Sequence, residues 1–176
     1  RGPLPGPGAG PGDGVRGPRP RVRAAARRRL SPAGAGRVAY GSVPDSQALI
    51  GDVSPGVTGS VTVTVADADT AIAVGSGDVP VLATPRVVAL CEQAAIAALG
   101  PSLVPERTSV GMRVQIDHLA PTEVGGEVVA EATLERIEGR RLTFTVSVND
   151  GRGLVAAGKV TRVVVDREQF MAKATG

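Results

Sequence analysis

Aromatic rings and cysteine are nearly missing from this 176-residue chain, which has no Trp, one Tyr, two Phe and a single Cys, Cys91. One cysteine excludes an internal disulfide framework and a cysteine-based zinc site, so no metal is expected. So few rings leave little on which to stack unpaired bases. No apolar run approaches ~20 residues, so no transmembrane helix and no membrane partner are expected. The reading is a cytoplasmic protein of a reducing compartment that is rich in Val and Ala.

Acidic residues are scarce at one end. Residues 1–40 hold nine Arg and one acid, Asp13, together with nine Gly and seven Pro. The other 136 residues carry 11 basic and 16 acidic groups, a net of −5, so the nominal +3 of the whole chain comes from the tail. The body therefore gives no electrostatic argument for nucleic acid. Residues 1–45 are expected to be a disordered Gly/Pro/Arg-rich tail, because they cannot bury enough apolar surface to offset chain entropy. A Gly-x-Gly-x-x-Gly match at Gly12, Gly14 and Gly17 has no strand before it and no helix after it, so it carries no dinucleotide-binding weight. Arg21 to Arg29 would suit a nucleic-acid or targeting arm, but this much Gly and Pro opposes a transit helix. The chain begins without Met, and a fragment or a loosely placed start is the preferred explanation. Residues 46–176 suit one domain with a real core.

Within that body, Val57 to Val65 is β-branched and alternating and predicts a strand. Asp67 to Val74 predicts a short helix. Thr84 to Leu99 predicts the one long helix, with Thr84 as N-cap, Pro85 at the first helical position and Gly100-Pro101 as the stop. Strands are expected near 108–119, 125–138, 140–150 and 153–165, with turns at Gly125-Gly126, Glu138-Gly139-Arg140 and Asp150-Gly151. A short helix follows from Arg167 to Lys173. One helix packed on a run of antiparallel strands is an α+β layout.

Three ionisable residues fall where this pattern asks for apolar ones. The long helix is nearly all apolar and should be buried around most of its circumference; Arg86 and Gln93 mark its polar stripe, and Glu92 lies off it. Strand parity puts Met112, Val114, Ile116 and His118 on the core face, and likewise Leu154, Ala156, Gly158, Val160, Arg162 and Val164. Burying an unpaired charge costs several kcal/mol, so Glu92, His118 and Arg162 should meet partners or a polar pocket beside the helix. Each also has a structural reading. His118 can be a satisfied core residue, Glu92 and Arg162 can simply pair, and Thr84 can only cap. Cys91, inside a buried helix, is expected to be inert.

These residues resemble the hotdog-fold thioesterases, most closely the fluoroacetyl-CoA thioesterase-like family. The resemblance runs from about Val79 to Ala174. It includes the Ala83-Thr84 helix entry, Glu92 eight residues on, Gly111, His118 in IDHLAPT, the Ile137-Glu138-Gly139-Arg140-Arg141-Leu142-Thr143-Phe144 stretch to Asp150-Gly151, Arg162, and EQFMAK at 168–173. It implies a hotdog fold, with an antiparallel sheet wrapped around a long central helix. It also implies a homodimer or dimer of dimers with sites near the subunit interface, and hydrolysis of a small acyl-CoA thioester. Coenzyme A would enter as part of the substrate, with no separate cofactor. The implied catalytic set is Thr84, Glu92 and His118, with Gly111 and Arg162 in support. Two departures are visible. Pro85 follows Thr84 where Gly is familiar, and the GSGDVPVLA stretch before Thr84 has no aromatic residue, so no aromatic lid over the acyl group and no special fit to fluoroacetyl-CoA are expected.

The chemistry this set would run is attack on a thioester carbonyl by Thr84 Oγ or by a water held by Thr84 and Glu92. His118 would take the proton, and Glu92 would act as base or orient the imidazole. The start of the helix and the backbone near Gly111 are candidate oxyanion donors. Arg86, Arg113, Arg140 and Arg141 are candidate cations for the CoA phosphates. The rival readings are a non-catalytic acyl-CoA-binding hotdog protein, a hotdog dehydratase, and a structural dimer.

Overall fold

The structure, a computed structural model, describes Gly2 and residues 50–175. The tail expected over 1–45 and its boundary with the body therefore lie, Gly2 apart, outside the described residues.

Five strands form one antiparallel sheet: β1 (Thr58–Thr64), β2 (Arg107–His118), β3 (Glu127–Glu138), β4 (Arg141–Asp150) and β5 (Gly153–Asp166). Their order across the sheet is β1-β3-β4-β5-β2, so β1 and β2 are the two edges. The long helix, α1 (Thr84–Leu99), lies on one face, and a second helix, α2 (Arg167–Thr175), ends the chain. Gly139 takes φ +58 in the turn between β3 and β4, a conformation that favours glycine.

The core is the interface between α1 and the sheet. Val87, Leu90, Cys91, Ala94, Ala95 and Leu99 recur at helical spacing and are buried. They meet Val128, Ala130, Ala132 and Leu134 from β3, and Leu142, Phe144, Val146 and Val148 from β4. Gly59 of β1 lets the helix come close, because a Cβ there would lie 2.6 Å from the Ala94 carbonyl oxygen.

Four expectations are corrected. The helix expected over Asp67 to Val74 is a single 3-10 turn at Asp67–Asp69. Thr70 leaves it to pair with Leu82, and its hydroxyl donates to the Asp67 carbonyl. Helix α1 buries one stripe rather than most of its circumference, since one sheet can cover only one side; Ile96 is half-exposed. Strand parity also fails twice, each time at a bulge. The β2–β5 register slips between Gly111 and Arg113, so Gly111 joins Arg162 on the helix face and Met112 is half-exposed. The β4–β5 register slips between Val148 and Asn149, so Val155 turns inward and Leu154 outward.

Candidate active site

Thr84 and His118 meet at the start of α1. Ala83, not Thr84, occupies the N-cap position and no side chain caps the helix. The Thr84 hydroxyl is therefore left for another partner, and Oγ1 lies 2.9 Å from His118 Nδ1. His118 ends β2, paired with Ala156 of β5, which turns its ring toward the helix. Its Nε2 is buried and has no hydrogen-bond partner among the described residues. Pro85, at the second helical position, has no N–H, so the first turn offers the N–H groups of Thr84 and Arg86.

The loop ahead of α1 is tied to it by one residue that sequence reasoning missed. The Asp69 carbonyl accepts from Ala83 N–H at 2.9 Å. The Asp69 carboxylate accepts from Arg86 Nε at 2.6 Å and from Ala66 N–H at 2.9 Å. The Ala66 N–H is the main cause of an Asp69 pKa below the ordinary carboxylate value; burial opposes it and Arg86 adds to it. Arg86 is thus committed to Asp69 and is withdrawn as a candidate for the CoA phosphates.

Glu92, Arg162 and Gly111 form a second cluster. Arg162 is nearly buried, with 5% of its side chain exposed, against 32% for Glu92. It donates from Nη1 to Glu92 Oε1 at 2.9 Å, from Nε to Ser109 Oγ at 3.0 Å and from Nη2 to the Ser109 carbonyl at 2.8 Å. Burial pulls its pKa below the ordinary guanidinium value, while Glu92 opposes that shift. Gly111 faces the same carboxylate so closely that a Cβ there would run into Glu92 Oε1. Ser109 was not predicted, because counting parity through the bulge puts it on the wrong face.

The chain thus brings the expected residues together in two groups rather than one. Thr84 and Glu92 are eight residues apart on α1, about 12 Å along its axis. Both groups lie where α1 faces the edge strand β2, Thr84 beside His118 and Glu92 beside Gly111.

A groove of about 320 Å³ opens over Thr84 and His118, between the 76–81 loop and residues 119–121. A larger depression of about 520 Å³ lies between residues 122–127 and the β4–β5 turn. Its polar groups satisfy one another: Asp150 accepts from Thr122 and from Arg152, and Arg152 also donates to the Pro121 carbonyl. Its one hydroxyl–carboxylate pair, Thr122 with Asp150, has a carboxylate held below its ordinary range first by the Arg152 N–H, which makes it a weak base, whereas the smaller groove holds the hydroxyl–imidazole pair. Cys91 is no nucleophile, since burial pushes its thiol up to about 11.

A sheet of this order wrapped on one helix defines a hotdog-fold protein, and a hydroxyl–imidazole pair stands at the start of that helix. The profile of the fluoroacetyl-CoA-specific thioesterases (FlK) matches residues 65–168, and the chain belongs to that family. The fluoroacetyl-CoA thioesterase of Streptantibioticus cattleyicolor is 39% identical over 93 residues, covering 53% of this chain and 67% of that protein. A solved fluoroacetyl-CoA thioesterase is 31% identical, with a TM-score of 0.66 over 70% of this chain and 96% of that one. A hot-dog-like protein from Thermanaerovibrio acidaminovorans is 26% identical, with a TM-score of 0.65 over 74% of this chain and 94% of its own. Among the described residues, no helix is long and apolar enough to cross a membrane.

Proposed function

We propose that this protein hydrolyses a small acyl-CoA thioester to free acid and CoA, at a site made by two copies of the chain. The observation that carries the reading is the 2.9 Å contact between Thr84 Oγ1 and His118 Nδ1 in the groove at the start of α1. His118 Nδ1 accepts the proton of the attacking oxygen, which is Thr84 Oγ1 or a water that Thr84 holds. The N–H groups of the first helical turn stabilise the oxyanion as it forms. Its collapse breaks the C–S bond and expels the CoA thiolate, which takes the proton back from the imidazolium. An acyl group on Thr84 is released by a water that His118 deprotonates in the same way. The imidazolium needs a carboxylate, and Glu92 of the same chain is two turns away on Arg162.

A second copy supplies it. Edge strand β2 carries the half-exposed Met112, and α1 carries the half-exposed Ile96. An exposed edge of this kind favours pairing with another strand. Pairing two β2 strands antiparallel about a two-fold at Gln115 keeps both helices on one side of the joined sheet. The bulge at Met112 then absorbs one residue, so Gly111 of one copy opposes the second copy's His118. Glu92, which touches Gly111, arrives beside that imidazole and stabilises its charged form. Arg162, itself anchored on Ser109, holds Glu92 in place.

The test is thiol release from short acyl-CoAs by wild type, His118→Ala, Thr84→Ala and Glu92→Gln. His118→Ala should lose about 10²–10⁴-fold in kcat/KM. Equal background release by all four proteins overturns the enzyme, and retained acyl-CoA binding in that case would favour a non-catalytic binding protein. Mass spectrometry of quenched reactions distinguishes an acyl-Thr84 intermediate from direct attack by water.

A further inference from the structure

The groove at the catalytic pair is lined on both sides by aliphatic and small residues. Gly77 and Val79 stand on one wall, Leu119, Ala120 and Pro121 on the other, and Leu82 lies behind Thr84. In a single chain Val79 is 50% exposed and Leu119 61% exposed, so both facing walls offer apolar surface to whatever enters the groove. The wall at residues 71–81 is a fixed turn rather than a loose flap: Ala71 N–H donates to the Val81 carbonyl and Ser76 N–H to the Ala71 carbonyl, each at 2.9 Å. The space is also larger than a two-carbon acyl group needs. The groove is open along one side, so a chain longer than two carbons can run on along its walls from the carbonyl.

We propose that this groove takes the acyl moiety itself, and that the substrate class is an unsubstituted aliphatic acyl-CoA of about four to eight carbons, selected by burial of methylenes against Val79 and Leu119. This rests on the thioesterase reading, which puts the reacting carbonyl at Thr84 and His118. A short chain leaving that carbonyl along the groove covers apolar walls that acetyl or fluoroacetyl leaves wet. Apart from the catalytic pair, Ser76 is the only lining residue with a polar side chain. A charged acyl group therefore finds no side chain of opposite charge on these walls, and burying its carboxylate costs free energy.

The experiment is kcat/KM for acetyl-, butanoyl-, hexanoyl- and octanoyl-CoA on wild type, Leu119→Ser and Val79→Ser. Complete burial of a methylene is worth about fourfold, and an open groove should give about twofold per methylene. Hexanoyl-CoA should thus exceed acetyl-CoA by roughly tenfold or more. Both side chains lie outside the core between α1 and the sheet; size-exclusion chromatography checks that Leu119→Ser keeps the pairing along β2, and each substitution should flatten the rise with chain length. A series that is flat or falls from acetyl-CoA upward overturns the assignment while leaving hydrolysis standing; it would mean that the groove holds the pantetheine arm. Release from no member of the series overturns both readings.

Discussion

A methyl group added at Gly111 tests the Glu92 half of the site. The new Cβ would strike the Glu92 carboxylate, a side chain one-third exposed and able to swing away, so the fold should survive and the carboxylate should not stay in place. Gly111→Ala is expected to lower kcat/KM by about 100-fold, the scale of a 1 Å misplacement in an active site, and to lower the melting temperature as well, because the nearly buried Arg162 loses its carboxylate partner; wild-type turnover would mean Glu92 plays no part. Cys91 makes the opposite case. With its thiol pushed up to about 11 and its side chain buried, it should react with a thiol reagent at pH 8 at least about a hundredfold more slowly in the native protein than in urea. Fast native labelling would contradict the packing of α1. At this scale the sequence was legible where chemistry clashed with pattern: Glu92, His118 and Arg162 stood out because an ionisable group on an apolar face needs a partner. Ser109 and Asp69 carry no such clash. Asp69 acts through a carbonyl as well as its carboxylate, and a main-chain bond leaves no mark in the side-chain pattern.

The elements meet at the start of α1, and Asp69 is the tie. Its folded pKa lies below the ordinary carboxylate value, so its stabilisation is complete above about pH 4 and is lost as pH falls through the lower folded value. Asp150, held down first by the Arg152 N–H, acts in the same direction. Stability should therefore fall on acidification below about pH 4. Asp69→Asn should cost about 1 kcal/mol at neutral pH and make the acid limb shallower, as read by urea melts across pH; an unchanged acid limb would remove Asp69 from the account. All five strands and both helices could be read from alternation, β-branching and turn glycines, with boundaries within two residues for β2, β3, β4 and β5. What alternation could not locate were the bulges at Met112 and Val155. A single extra residue reverses parity downstream, and its one local mark is a nearby glycine, Gly111 ahead of Met112 and Gly153 ahead of Val155. The Thr84 cap was misplaced by one residue for a related reason. Thr is a good cap by type, but here its hydroxyl goes to His118 and the cap position falls to Ala83.

At the scale of the whole molecule, the proposed reaction requires a second copy to bring Glu92 to the Thr84–His118 pair, because one chain keeps them in two separate groups. The fold class was readable from the order of elements, whereas the split of Thr84–His118 from Glu92–Arg162 was not, because spacing along α1 gives separation but not the partner across an edge. Co-expression of two crippled chains, His118→Ala and Glu92→Gln, tests this most directly. In a mixed dimer one site loses both groups and the other keeps both. With random pairing about half of the molecules are mixed dimers, each with one intact site. The account predicts recovery of about a quarter of wild-type turnover from two parents that are each nearly inactive. A mixture no faster than its parents, with mixed dimers demonstrated by differential tags, would contradict a site shared between subunits.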